Sequence, residues 1–322
     1  LIQGNDADKG WTSPYILTLF AVAAVAMAIF IVGELRMKNP MLDLRLFANL
    51  SFTGAAIVAF ALSGGLFALF FYLTLYLQNY LGFSAFNAGV RTLPLSALIM
   101  VTAPIDSAFV DRVGPKILMT VGMAMAAVAV LLMARISPTD TQLDWVVLLP
   151  AFVLGGLASG LVSPLISNVA VSTVSYDKAG MASGVSGVCR QVGTAFGIAL
   201  LGALLTNWYN SGLHDKISKI TIPGQPPAQQ HAILSGIITN LQNAGTFAGS
   251  TGLRNPPAQF AQFVHQPDFP LIQKAVQESY ISATTNIFII AAILLALGTI
   301  ASLVLIRRKD IQHMAQGTAI EM

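Results

Sequence analysis

Arg190 is the most unusual candidate for chemistry in this sequence, because it is the single charged residue in the run 181–207. A guanidinium remains charged in proteins, and a charge deep in an apolar layer is costly. We expect Arg190 either to face the interior of a helix bundle, where it pairs with a polar group or a carbonyl and helps the protein to switch states, or to extend along its apolar stem to a polar surface.

A second charged group is the sequence DRVGPK, residues 111–116. Gly114 and Pro115 favour a tight turn between two helices. Asp111 would stand at the carboxyl end of a helix, where the helix dipole disfavours an anion, so it needs a cationic partner or a facing helix N-terminus. We predict a conformational latch formed by Asp111, Arg112, Gly114 and Lys116. The alternative is a helix stop with a topology signal.

Enzymatic chemistry finds little support in the sequence. Gly184–Gly187 reads G-x-S-G, but a nucleophilic serine needs a base within hydrogen-bond reach, and the four histidines fall in connecting segments or the tail. The single cysteine, Cys189, excludes an intrachain disulfide and a cysteine-based zinc site. We therefore expect no enzyme, no metal and no ATP-driven motor.

The amino-acid composition predicts what kind of structure holds Arg190 and the DRVGPK sequence. Hydrophobic residues make up 55% of the 322 residues and charged residues 10%, and the basic residues are scattered, which excludes a nucleic-acid-binding patch. A soluble domain carries about 25% charged residues. The sequence therefore predicts an integral membrane protein.

Seven runs are long and apolar enough to cross a bilayer, for which a helix needs about 20 residues. Their residues do not alternate between polar and apolar, which excludes a transmembrane β-barrel. The predicted spans are 15–33, 52–76, 88–110, 117–134, 145–172, 181–207 and 281–306.

Lysine and arginine divide unequally between alternate connections. The connections on one side of the membrane contain nine lysines and arginines. Those on the other side contain three (Lys9, Arg91 and Arg135) if the long segment 208–280 is set aside. Because cytoplasmic connections carry the excess, we predict a cytoplasmic C-terminus. The predicted order is an extracytoplasmic segment 1–14, a span 15–33, a cytoplasmic loop 34–51, five helices in 52–207, an extracytoplasmic loop 208–280, a last span 281–306 and a cytoplasmic tail 307–322.

The loop 208–280 contains one segment, 228–244, that could form a short amphipathic helix at the membrane interface. A poorly ordered loop with one or two helical turns is the alternative.

Small residues recur every four positions in several spans, which lets helix backbones approach each other in lipid. The pairs Gly156 with Gly160, Gly180 with Gly184, and Gly193 with Gly197 therefore predict helix packing. Ser159, Ser163 and Ser167 share this spacing and could instead line a substrate path. Tyr72, Tyr76 and Asn79 are the other candidate substrate-lining residues, with an interfacial aromatic belt as the alternative.

Several of these motifs resemble one family of transporters. The sequence DRVGPK is similar to the loop between the second and third helices of each six-helix half in the major facilitator superfamily. KGWTSP (9–14), LGGLASGLVSP (154–164), KAGMASG (178–184) and CRQVGTAFG (189–197) resemble, in order and spacing, the fourteen-helix drug:proton antiporters of that superfamily. Ser107 and Ala108 depart from the pattern, which has glycine and a basic residue there.

This resemblance implies an all-α fold made of the second linker helix and the six helices of the C-terminal half. It also implies proton-coupled efflux of amphipathic drugs or metabolites across the inner membrane by alternating access, with a proton gradient and no cofactor. The implied partners are a small-molecule substrate, the lipid bilayer and an N-terminal half of the same transporter. Because Leu1 starts no signal-peptide pattern, we expect the chain to begin inside a longer protein. A non-transporting scaffold, a decayed half-transporter and a seven-helix receptor are the alternatives.

Overall fold

A computed structural model of the chain describes residues 13–37, 42–220, 226–243, 245–246 and 269–307. At residues 44, 105–109, 111, 227, 228, 243 and 269 it describes the backbone alone. The predicted segment 1–14, the tail 307–322 and the middle of the predicted loop therefore lie largely outside the described residues.

The described residues form helices and connections, with no strand among them. Seven helices are long and apolar enough to span a membrane, which confirms the predicted fold class. The helices are α1 (Pro14–Arg36), α2 (Leu50–Tyr80), α3 (Ala85–Val113), α4 (Pro115–Met133), α5 (Leu149–Ser172), α6 (Ala179–Ile217), the shorter α7 (Pro227–Asn243) and α8 (Phe269–Leu305).

Side-chain caps and prolines set where several helices begin. Asn49 accepts hydrogen bonds from the backbone N–H groups of Ser51 and Phe52 at 2.9 and 3.3 Å, which satisfies two of the free donors at the start of α2. Pro14 and Pro115 occupy the first position of α1 and α4, where a missing N–H costs nothing.

Helices α2 to α6 and α8 pack into one bundle, while α1 stays apart from it. Helix α8 contacts α2, α4 and α6, and α5 contacts α3 and α4. Of the residues of α1, Ile16 and Glu34 are buried. Its exposed apolar surface is what a helix surrounded by lipid requires.

Helices α6 and α8 are longer than the predicted spans 181–207 and 281–306. They have 39 and 37 residues, which correspond to about 58 and 55 Å, against about 30 Å for the hydrocarbon core of a bilayer. Both helices therefore extend into the segment that was predicted as a loop. There Lys216 of α6 forms an ion pair with Glu278 of α8 at 3.2 Å.

Helix α7 corresponds to the amphipathic segment predicted at 228–244. Its apolar residues Leu234, Ile237, Ile238 and Leu241 are buried, and it packs against α6. The apolar face thus contacts protein, in contrast to the predicted helix lying in the membrane interface.

Candidate functional site

A shallow cavity of about 490 Å³ lies between α2 and α6. Five of its residues come from one face of α6, where positions four apart lie one turn above each other. The lining residues are Ser63 and Phe67 of α2, and Arg190, Gln191, Thr194, Ala195 and Ile198 of α6.

The two residues from α2 stand at the ends of a π-helical turn, Ser63–Phe67. A π turn holds one more residue than an α turn and occurs often at functional sites. Gly64 and Gly65, inside this turn, contact α6 and α8, so Ser63 and Phe67 are held at the cavity by tight packing behind them.

Arg190 lies within the apolar stretch 181–207 of α6. It is the twelfth residue of the helix, about 17 Å from the first. Its Nη2 donates to the carbonyl oxygen of Ser163 at 2.5 Å and to Oγ of Ser167 at 3.4 Å, both on α5. Its Nε is buried and has no hydrogen-bond partner among the described residues. The guanidinium thus faces the bundle and bonds a carbonyl.

Ser163 takes part in the site through its backbone. The carbonyl of Ser163 accepts the hydrogen bond from Arg190, and the residue is not among those that line the cavity. The polar stripe predicted on α5 therefore holds Arg190 in place, and the structure gives no support for Ser163 as a substrate contact.

The predicted packing glycines lie where helix backbones meet. A Cβ atom on Gly156 would stand 2.7 Å from the carbonyl oxygen of Leu95, and one on Gly160 would stand 2.7 Å from Cβ of Thr102. A Cβ atom on Gly193 would stand 2.5 Å from the carbonyl oxygen of Phe60, and one on Gly197 would overlap the carbonyl oxygen of Gly64.

The pair Gly180 and Gly184 is different, because a Cβ atom on either would meet no described atom within 4 Å. Their spacing alone therefore does not place them in a helix contact of this structure.

Tyr72 and Tyr76 do not line the cavity. Both are buried, and the Tyr72 hydroxyl donates to the carbonyl oxygen of Ile198 while the Tyr76 hydroxyl donates to Oδ2 of Asp140 at 3.0 Å. Asn79 is half-buried in the last π turn of α2 and is also absent from the lining. None of these three residues lines the α2–α6 cavity, and their role as substrate contacts stays a prediction.

Tyr76 belongs instead to a group of four tyrosines, which we call the tyrosine cluster: Tyr76, Tyr80, Tyr209 and Tyr280. The rings of Tyr76 and Tyr80 stack at 5.3 Å, those of Tyr80 and Tyr280 stack at 5.6 Å, and Tyr209 meets Tyr280 edge to face at 6.5 Å. The Tyr80 hydroxyl donates to the carbonyl oxygen of Pro138 at 2.6 Å. The cluster joins α2, α6 and α8 at one end of the bundle.

The turn DRVGPK joins α3 to α4 as predicted from Gly114 and Pro115. Gly114 has a φ of 88°, which other residues rarely adopt, and it ends α3 while Pro115 begins α4. Arg112 is exposed and Lys116 is half-buried. The side chain of Asp111 lies outside the described residues, so the latch stays a prediction.

One ion pair near this end was not predicted. Asp43, between α1 and α2, binds Nζ of Lys178, just before α6, at 2.7 Å, and the backbone N–H of Asp43 donates to Sδ of Met181 at 3.1 Å. The hydrogen bond from Lys178 holds the pKa of the Asp43 carboxyl below its usual range. A carboxylate and a lysine 135 positions apart give no local signal in the sequence.

The described residues thus combine seven apolar helices long enough to span a membrane with an arginine that lines a cavity between two of them. The model of the Major Facilitator Superfamily matches residues 7–198. The chain therefore belongs to the major facilitator superfamily.

Its curated relatives are export and resistance proteins. It is 29% identical over 240 residues to the multidrug resistance protein Stp of Mycobacterium tuberculosis, which is 74% of this chain and 43% of that protein. It is 27% identical over 301 residues to the multidrug transporter protein MdtP of Bacillus subtilis (92% and 54%) and 31% identical over 245 residues to the tetracenomycin C resistance and export protein of Streptomyces glaucescens (74% and 44%). The chain spans about half the length of these relatives.

Proposed function

We propose that this chain is the C-terminal half of a proton-coupled exporter of amphipathic drugs or metabolites, which works by alternating access with an N-terminal half of the same transporter. The observation that carries the proposal is the position of Arg190, a charge inside the apolar run 181–207 that lines a cavity and bonds a neighbouring helix. Charged residues within membrane spans mark substrate or ion pathways in membrane proteins.

The proposed orientation places the turn at Gly114 and the residues after Arg307 in the cytoplasm, since the connections on that side carry most of the lysine and arginine. In this orientation the α2–α6 cavity faces the other half of the transporter. The chain alone would supply one wall of the substrate path, and we expect it not to transport by itself.

The test is the efflux activity of the complete transporter in everted vesicles that carry a proton gradient. It is measured as uptake of a fluorescent amphipathic dye into the lumen, because the cytoplasmic face of these vesicles points outward. We expect Arg190→Ala to lower the initial efflux rate at least about tenfold, which corresponds to 1.4 kcal/mol or more. Arg135→Ala, which removes an exposed charge, is the control and should retain the wild-type rate.

Equal amounts of the variants in the membrane must be shown for this comparison. A cysteine placed at Val113 in a Cys189→Ala background should react with an impermeant maleimide in everted vesicles and not in intact cells, which tests the orientation. The proposal would be refuted if Arg190→Ala transported the dye at the wild-type rate. It would also be refuted if transport by the wild type continued at the same rate after the proton gradient was collapsed.

A further inference from the structure

We infer that the α2–α6 cavity binds amphipathic molecules with an anionic or strongly hydrogen-bond-accepting group, such as an aryl carboxylate, and that Arg190 recognises this group. The inference rests on the proposed transport function and names the class of substrate.

The first argument is the balance of charge around Arg190. Helices α2, α4 and α5 carry no Asp or Glu. Helix α6 carries Asp215 and α8 carries Glu278, and both of these are paired with lysines, Lys219 and Lys216. The acids of α3 are Asp106 and Asp111; their side chains lie outside the described residues, and α3 itself packs chiefly against α5. The cavity therefore holds a positive charge and no acid in its lining.

The second argument is what the guanidinium bonds. A guanidinium has five N–H donors in a planar fork that fits a carboxylate. The described partners of Arg190 are a carbonyl and a hydroxyl, both through Nη2, and both are dipoles without charge. They fix the direction of the side chain and leave the positive charge to be balanced by something else.

The third argument is the rest of the wall. Phe67, Ala195 and Ile198 present apolar surface, and most of the surface that lines the cavity is apolar. Beside Arg190, Gln191 adds an amide group, whereas Ser63 is buried and the Thr194 hydroxyl donates to the carbonyl oxygen of Arg190 at 3.0 Å. A volume of about 490 Å³ lies in the range of small-molecule sites, roughly 300–1,000 Å³. A ring against Phe67 and an acceptor at Arg190 would fit both parts of the wall, whereas a cation would meet a like charge.

The experiment compares three probes that share one fluorescent aromatic ring system: a carboxylate, its primary amide and a trimethylammonium analogue. Binding to the complete transporter, purified in detergent, is measured by fluorescence anisotropy at pH 7 without a proton gradient. We expect the carboxylate to bind at least about tenfold more tightly than the amide, which is the effect of one charge-assisted hydrogen bond, and the ammonium probe to bind most weakly.

Arg190→Gln should remove the preference for the carboxylate while amide binding stays within about twofold, which also shows that the variant is folded. Arg190→Lys should keep most of the preference, and Arg135→Ala, which removes an exposed cation outside the cavity, should keep all of it. Equal binding of carboxylate and amide by the wild type, or an unchanged preference in Arg190→Gln, would overturn the inference.

The result of this binding experiment can be distinguished from the result of the transport test. A transporter that exports the dye and shows no preference between carboxylate and amide keeps the proposed function and contradicts the substrate class. A protein that exports nothing under a proton gradient contradicts the proposed function, whatever its binding preference.

Discussion

Helices α2 and α6 form two contrasting regions, the tyrosine cluster and the α2–α6 cavity. In the tyrosine cluster, large rings fill the space between α2, α6 and α8, and the acid Asp140 receives hydrogen bonds from the Tyr76 hydroxyl and from the Ser137 backbone N–H, the latter at 2.7 Å. In the cavity, the guanidinium of Arg190 bonds a carbonyl and a hydroxyl of α5, and the space beside it is unfilled. The first region is filled by packed rings, whereas the second leaves a cavity next to its charged residue.

This difference separates a region that stabilises the fold from one that is free to bind. Stacked and edge-to-face aromatic pairs contribute about 0.5–1.5 kcal/mol each beyond burial of their area. The cavity, by contrast, leaves space beside Phe67, Ala195 and Ile198 that a ligand can fill. Substitutions in the first region should therefore change stability, whereas substitutions in the second should change binding.

The largest expected effect lies behind the cavity, at Gly197. An alanine Cβ there would overlap the carbonyl oxygen of Gly64, and a helix backbone cannot move as a flexible side chain can. We expect Gly197→Ala to lower the free energy of unfolding in detergent micelles by about 3 kcal/mol, at the upper end of the range for overpacking.

Gly184→Ala is the matched control, because it adds the same atom to the same helix where no described atom lies within 4 Å. It should be neutral or stabilise by up to about 1 kcal/mol through helix propensity. If both variants had the same thermal midpoint, the close approach of α2 and α6 at Gly197 would be wrong.

The next effect concerns the hydroxyls of the tyrosine cluster. Tyr76→Phe removes a hydrogen bond to a carboxylate, and we expect a loss of about 1.5–3 kcal/mol, the range for bonds to charged groups. Tyr209→Phe removes a buried hydroxyl that has no partner among the described residues, so it should be neutral or slightly stabilising. Unfolding in mixed micelles, followed by tryptophan fluorescence, measures both.

The two variants delete the same atom from buried rings, so the difference between them isolates the bond to Asp140. An equal loss in both would mean that Asp140 gains nothing from Tyr76. Neither change should alter binding of the carboxylate probe, since neither residue lines the cavity.

The membrane spans could be predicted from the sequence because lipid imposes a length and a composition on each of them. The ends of α6 and α8 could not. Beyond the span, residues 208–217 of α6 are polar and read as a loop, yet Tyr209, Leu213 and Ile217 are buried at helical spacing against other elements. Hydropathy indicates where a helix meets lipid, and tertiary contacts decide where it ends.

Arg190 could be predicted as a site residue from its charge alone. Its partner could not, because the acceptor is the backbone carbonyl of Ser163, and every residue has one. The packing of Tyr72 and Tyr76 between helices could not be predicted for a related reason, since aromatic composition is the same for a ring that binds a ligand and one that packs between helices. Phe67, on the same helix, lines the cavity at the end of a π turn, which the sequence does not indicate.

The smallest expected effect concerns the ion pair of Asp43 with Lys178, whose side chains keep 16% and 39% of their exposure. Exposed pairs contribute little and are screened by salt. Because Lys178 lowers the pKa of Asp43 in the folded protein, the pair stabilises the fold above the ordinary carboxyl value of 3.8, and this contribution is lost as the pH falls through the lowered value.

We therefore expect Asp43→Asn to lower the thermal midpoint in micelles slightly and by the same amount from pH 8 to about pH 5, and to converge on the wild type at more acidic pH. Asp177→Asn, which makes the same change at an exposed position next to Lys178, is the control and should leave the midpoint unchanged. A difference that grows as the pH falls would reverse the sign required by the lowered pKa, and would show that Asp43 does not bind Lys178 as a carboxylate.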